Sequence, residues 1–178
     1  MNQVSNEKKA KVIAARSVQK KKDKLLAWVM HRGWAIQGYQ ETFLRFYGSL
    51  TAWEDKGFVA DRLGWLNWKL KAPLPEDTVL KIAAECVENL YSPKAADIAS
   101  SLKMDRYEAA EFGVLLGDDM QYEELNSSNK VGDARREVKR RDIMEKLKAC
   151  KEKGMNKSQT AIEIDRSRPW VHAHWNMV

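Results

Sequence analysis

The 178-residue sequence predicts an all-α protein: a multi-helix N-terminal domain, a helix-turn-helix-like middle module and a C-terminal helix-turn-helix. Three observations predict it. Apolar residues recur at i, i+3, i+4 and i+7 in several segments, Gly and Pro punctuate those segments, and one small-apolar-apolar frame occurs twice, 62 positions apart. With 44% hydrophobic and 31% charged residues, the chain can bury one sizeable core or two small ones beneath a wet surface.

Residues 1–24 are expected to form a basic arm, with eight Lys or Arg against two acids. Small and apolar residues such as Ala10, Val12, Ile13 and Val18 are interleaved with the lysines. A frayed helix and a disordered arm that orders on a partner both suit that composition.

Residues 25–75 are expected to form a Trp-rich helical domain. Trp28, Trp34, Trp53, Trp65 and Trp68 lie here with Tyr39, Phe43, Phe46, Tyr47 and Phe58, and the cluster reads as packed core. Phe43, Phe46, Tyr47 and Leu50 mark one helical face, and Leu63, Leu66 and Leu70 mark another. A base-stacking platform is the alternative reading of the aromatics, disfavoured by the absence of strand alternation. Pro73 and Pro75 end the domain, since proline has no amide to continue a helix.

Residues 76–117 are expected to form an acidic helix-turn-helix-like module. Leu80, Ala83, Val87 and Leu90 predict one helix, and Ser92 with Pro93 suits the cap and first turn of a short helix through Leu102. Residues 118–132 are rich in Asp, Glu, Asn, Ser and Gly and read as a linker. Residues 133–178 are expected to form a basic module. Val138, Ile143, Leu147 and Cys150 place an apolar stripe on a long helix, and Gly154 sits where such a helix stops.

A helix-turn-helix needs a small residue where its two helices touch, an apolar residue three positions on, and another ten positions after the first. Ala99, Leu102 and Ala109 meet this requirement in the middle module, and Ala161, Ile164 and Val171 meet it in the last. Arg106 and Arg168 occupy equivalent places at the start of the second helix. In the middle module that helix carries Asp105, Glu108 and Glu111, which would repel phosphates, so a structural or protein-binding role is expected there.

The final module carries the candidate DNA-binding residues Lys157, Ser158, Arg166, Ser167, Arg168, His172 and Asn176, with Lys146, Lys148, Lys151 and Lys153 leading in. Ser167 would cap the recognition helix, with Pro169 in its first turn. Arg168 and Asn176 are the candidates for base edges, because Arg pairs with guanine and Asn with adenine through two hydrogen bonds each. Arg166, Lys157, Ser158 and the amides at the helix start would suit phosphates. Trp170 and Trp175 read as packing that closes the module. His172 and His174 diverge on a helix and make a poor metal pair.

The run from Gly154 to Val171 resembles the helix-turn-helix of ParB and KorB type plasmid proteins, with its glycine, polar cap, alanine, aliphatic residue, Ser167-Arg168 and Val171. The resemblance covers about 35 residues from Ile143 onward and implies operator-type binding of double-stranded DNA, as in a plasmid or phage regulator of transcription. Asp165 stands where the family usually has glycine, and the helices that normally follow the motif are missing. The family's nucleotide-binding arginine motif is not recognised, so CTP use and clamp formation are not implied.

Other classes are disfavoured. The longest apolar run, Leu25 to Met30, is too short to cross a bilayer, and no secretory pattern opens the chain, so a cytoplasmic protein without a membrane partner is expected. Cys86 and Cys150 have no companions at metal-ligand spacing, and no metal or cofactor is expected. Asp118 with Asp119 and Glu123 with Glu124 invite a Mg²⁺ site but read as a solvated acidic loop. With no phosphate-binding loop and no nucleophile-base arrangement, the expectation is not an enzyme.

Basic ends around a middle with three Lys or Arg against eight acids (residues 93–129) suggest that a polyanion contacts the termini; a solubilising surface is the alternative. The leading expectation is therefore a sequence-specific regulator acting as a homodimer on an inverted repeat. The alternatives are a protein-binding adaptor or inhibitor whose acidic helix from Asp105 to Phe112 docks a basic partner, and a DNA-recognition subunit of replication or packaging.

Overall fold

The computed structural model describes residues 2–117, 121–126 and 129–178, with side chains from residue 12 onward. It is mostly helical, in keeping with the expected class. Helix α1 spans Asn2–His31, α2 Gln40–Glu54, α3 Val59–Lys69 and α4 Glu76–Glu88, and a 3₁₀ turn at Lys56–Phe58 joins α2 to α3. Helix α2 packs on α1, α3 and α4. Its predicted stripe of Phe43, Phe46, Tyr47 and Leu50 is buried against Leu25 and Val29 of α1, Leu63 and Leu66 of α3 and Ile82 of α4. Each large apolar side chain so buried contributes roughly 1.5–3 kcal/mol.

Helix α4 follows Pro75 and opens with Glu76 and Asp77, which favour the positive end of its dipole. Next come α5 (Ala95–Ser101), α6 (Arg106–Glu111) and an antiparallel pair, β1 (Val114–Leu116) and β2 (Tyr122–Glu124), with Val114 opposite Glu124 and Leu116 opposite Tyr122. Two strands alone are marginal. Here β2 contacts α5, and the Tyr122 hydroxyl donates to the Met104 carbonyl at 2.7 Å. Helix α7 spans Lys130–Glu152, followed by α8 (Lys157–Glu163), α9 (Arg168–His174) and a closing 3₁₀ turn at Trp175–Met177. Among the described residues no helix is long and apolar enough to cross a membrane.

The packing does not follow the boundaries expected at residues 24 and 75. Helix α1 runs through residue 24 without a break, and Val18 and Lys22 of the expected arm are buried. The Lys22 ammonium pairs with Glu54 of α2. A single apolar cluster then extends from Val18 to Val114, so the Trp-rich segment and the middle module share one core. The expected linker contains β2 and the start of α7, although Asp118 and Asp119 of the acidic loop lie outside the described residues. Its remaining acids are not an isolated cluster: Glu124 accepts from the Ala95 amide and lies 3.9 Å from Lys130.

Two local expectations also need correction. The cap position of α5 is Lys94, two residues after Ser92; its side chain makes no cap bond, and its amide donates to the Asp97 carboxylate at 3.4 Å. The tryptophans are not all core. Trp28 is buried, but Trp53, Trp65 and Trp68 are 51%, 49% and 72% exposed. The leucine face of α3 turns to the core and carries Trp65 and Trp68 outward, where Lys69 lies against both rings.

Gly48 is where α2 meets its neighbours most closely: a Cβ there would lie 2.9 Å from Cys86 Sγ and 3.0 Å from Leu63 Cδ1. Gly48→Ala gains about 1 kcal/mol of helix propensity and incurs roughly 1–3 kcal/mol of overpacking. We expect a net loss of about 1 kcal/mol, read as a fall of about 2–4 °C in the thermal midpoint. A rise would show that the contact relaxes freely.

Helix α7 is the element that positions the last module, because it presents two opposed faces. Ala134 and Val138 pack with Ala110 of α6, whereas Leu147 and Cys150, flanked by Ile143, pack with Ala161, Ile164 and Val171. The predicted stripe is thus divided between two cores.

Candidate nucleic-acid interface

The two predicted frames fold alike down to their backbone hydrogen bonds. In the first, Met104 N–H donates to Ala99 O at 2.9 Å; in the second, Arg166 N–H donates to Ala161 O at 3.0 Å. The preceding turn bonds also match, Lys103 N–H to Ser100 O and Asp165 N–H to Ile162 O. Both turns need a left-handed residue, supplied by Lys103 (φ 44°) and Asp165 (φ 52°). That conformation explains why glycine would suit position 165, and a short polar side chain is among the few that tolerate it. Ala99, Leu102, Ala109, Ala161, Ile164 and Val171 are all buried.

Each second helix is capped from the equivalent place. Asp105 accepts from the Tyr107 and Glu108 amides, and Ser167 accepts from the Trp170 amide at 3.4 Å. Asn156 caps α8 through the Ser158 and Gln159 amides, and Gln159 returns a bond to the Asn156 amide. Such caps contribute about 1 kcal/mol each.

What differs is the cover on the outer face. In the middle module α6 lies against α7. The Arg106 guanidinium is 3.0 Å from both Asp142 and Glu145, Tyr107 bonds Asp142, and Glu111 pairs with Arg135. Glu108 receives two bonds of 2.7 Å from Arg32 of α1. Burial pushes the Glu108 carboxyl up, but the Arg32 guanidinium and the Asp105 amide outweigh it and hold the group below its ordinary value. A separate basic partner for the acidic helix, the expected alternative, would have to compete with these internal pairs. Glu108 and Glu111 are paired with the chain's own arginines, and Asp105 caps α6.

In the last module the corresponding face is open. Ser158, Arg166, Ser167, Arg168 and His172 are exposed. Among the described residues Arg168 has no hydrogen-bond or ion-pair partner. Lys157 is half-buried, 3.4 Å from His172 Nδ1 across the α8–α9 pair and 5.9 Å from the Trp175 ring, with Lys151 on the same ring at 5.8 Å. Lys157, His172, Trp175 and Lys151 thus form one cluster, in which the part of Lys151 and Trp175 is visible only once the chain is folded. Trp170 stacks on His174 at 4.0 Å, and His174 Nδ1 lies 2.8 Å from the Trp170 carbonyl. The two histidines diverge accordingly.

Asn176 is exposed in the closing 3₁₀ turn that directly follows α9. Helix α9 has seven residues, with Ser167 as its cap and Pro169 in its first turn. Side chains supply the formal positive charge of this module. On α7, Arg135, Arg136, Arg140 and Arg141 pair with Glu111, Asp133 and Glu137, while Lys146 and Lys148, with Lys153 just past the helix end, are exposed and, among the described residues, without ion-pair partners.

Comparison with family models, with curated proteins and with solved structures returned no match to this chain. The geometry above is what bears on function.

Proposed function

We propose that the chain is a sequence-specific double-stranded DNA-binding protein, a transcriptional regulator of plasmid or phage type that reads one major groove with α9. The observation that carries this reading is the contrast between the frames. The face of the first is covered by α7, whereas the face of the second exposes Arg166, Ser167, Arg168 and His172. Arg168 at the first position of α9 would meet base edges, and Arg166, Lys157 and Ser158 would meet phosphates on either side. The lysines at the end of α7 would add charge that steers the duplex in. The resemblance of the Gly154–Val171 run to the helix-turn-helix of ParB and KorB type plasmid proteins, which implies operator-type binding, supports this reading.

A homodimer would place two copies of α9 about one helical turn apart on an inverted repeat. Selecting bound duplexes from a random pool at stated salt tests both ideas. A single enriched motif is expected, appearing as paired half-sites if two chains bind. Affinity for the selected sequence no better than for a scrambled one would refute the reading.

A further inference from the structure

A second basic feature lies away from α9. Helix α1, the start of α5 and the start of α7 enclose a cavity of about 800 Å³ whose lining includes Lys20, Lys21, Lys24, Lys94, Lys130 and Arg136 against a single carboxylate, Glu124. The charges come from three separated stretches of sequence and are brought together only by the fold. Lys21 donates to the Pro93 carbonyl at 2.7 Å, and Lys24 lies over the Phe112 ring at 5.7 Å. Both ammonium groups are held below the ordinary lysine value, first by burial; Lys130 adds to the effect at both, and Lys20 at Lys24. Lys20 and Lys94 are exposed, and among the described residues neither has an ion-pair partner. A cluster of like charges around an open cavity is relieved by an anion.

Two lining residues of the cavity share a face of α7 with the residues that seat the helix-turn-helix. Gly132 and Arg136 line the cavity, and Ile143, Leu147 and Cys150 seat the last module. Positions 132, 136, 139, 143, 147 and 150 follow the three- and four-residue steps of a single helical face. From Gly132 to Leu147 the axial distance is about 22 Å at a rise of ~1.5 Å per residue, the length of about six base pairs.

We infer that this cavity is a phosphate-binding site for the sugar-phosphate backbone of the same duplex, flanking the segment read by α9. The inference rests on the DNA-binding reading above. It explains why the basic N-terminal segment is anchored as a helix: α1 holds Lys20, Lys21 and Lys24 as one wall of a backbone clamp. Arg136 turns between Asp133 and a phosphate at little cost, since exposed ion pairs contribute about 1 kcal/mol or less.

The test compares the wild type, Lys20→Gln/Lys94→Gln, Lys20→Arg/Lys94→Arg and Arg168→Ala on the selected duplex and on one truncated on the flank beyond the α9 contact. The Gln pair is expected to melt like the wild type, to bind the long duplex more weakly, and to show a log K against log salt slope smaller in magnitude by about 2. The Arg pair restores the slope, and the truncated duplex abolishes the difference between the Gln pair and the wild type. Were the Gln pair to match the wild type in affinity and slope while Arg168→Ala binds weakly, the clamp would be wrong and the reading of α9 would stand. No change in any variant would remove both.

Discussion

Replacing Arg168 with Ala lowers affinity for the selected duplex about 5- to 150-fold, the equivalent of losing roughly 1–3 kcal/mol of base recognition. The protein's fold is not expected to change. Arg168 is exposed at the first position of α9, the helix stays capped by Ser167, and Ala is a better helix former than any residue it could replace. The loss should be concentrated at one base position, because a bidentate contact to guanine distinguishes that pair from the other three. Arg106→Ala is the internal control. It alters the same position of the same backbone frame, but Arg106 is held by Asp142 and Glu145 and is not free to reach a duplex. Its effect should appear as a small loss of stability with DNA affinity retained. Equal losses of affinity from the two substitutions would overturn the assignment of the reading face.

Leu147→Ala is expected to unfold the last module while the rest of the chain stays folded. Leu147 is fully buried at the centre of its cluster, whereas Ile164, of equal size, keeps 8% exposure; the other buried members, Cys150, Ala161 and Val171, are smaller. A Leu→Ala change in a core costs 2–5 kcal/mol, depending on how far the cavity collapses. A unit of about 36 residues has little stability to lose. The main core from Val18 to Val114 contains no residue of this cluster. Hydrogen exchange should therefore show lost protection from about residue 143 onward and unchanged protection in α2, α3 and α4. Protection lost uniformly would mean that the two cores unfold as one.

The parts legible in sequence were those governed by local rules. The paired frames could be read because a helix-turn-helix restricts residue size at fixed separations, and the stripe in α2 because its period is that of a helix. The Trp-rich segment was misjudged since composition does not say which side of a helix a residue occupies; Leu63, Leu66 and Leu70 had already claimed the inner side of that segment. The end of α9 ahead of Asn176 was not legible, because no Gly or Pro marks it. The cover on α6 was not legible at all: Arg106 and Asp142 are far apart in sequence, and an isolated arginine offers no hint of which carboxylate it will meet. The cavity lysines are hidden for the same reason, lying in three separate stretches.

The unbroken course of α7 has a consequence for how the molecule could tolerate change. Because one rigid rod connects the body to the reader, their relative azimuth is quantised: each residue inserted between Val138 and Ile143 would turn the last module by about 100° and advance it ~1.5 Å. Phase, more than length, decides whether α9 and the lysine cavity can address one duplex together. Insertions near seven residues would nearly restore it and single insertions would not, so this stretch of α7 behaves as an indexing shaft whose length can vary only in steps.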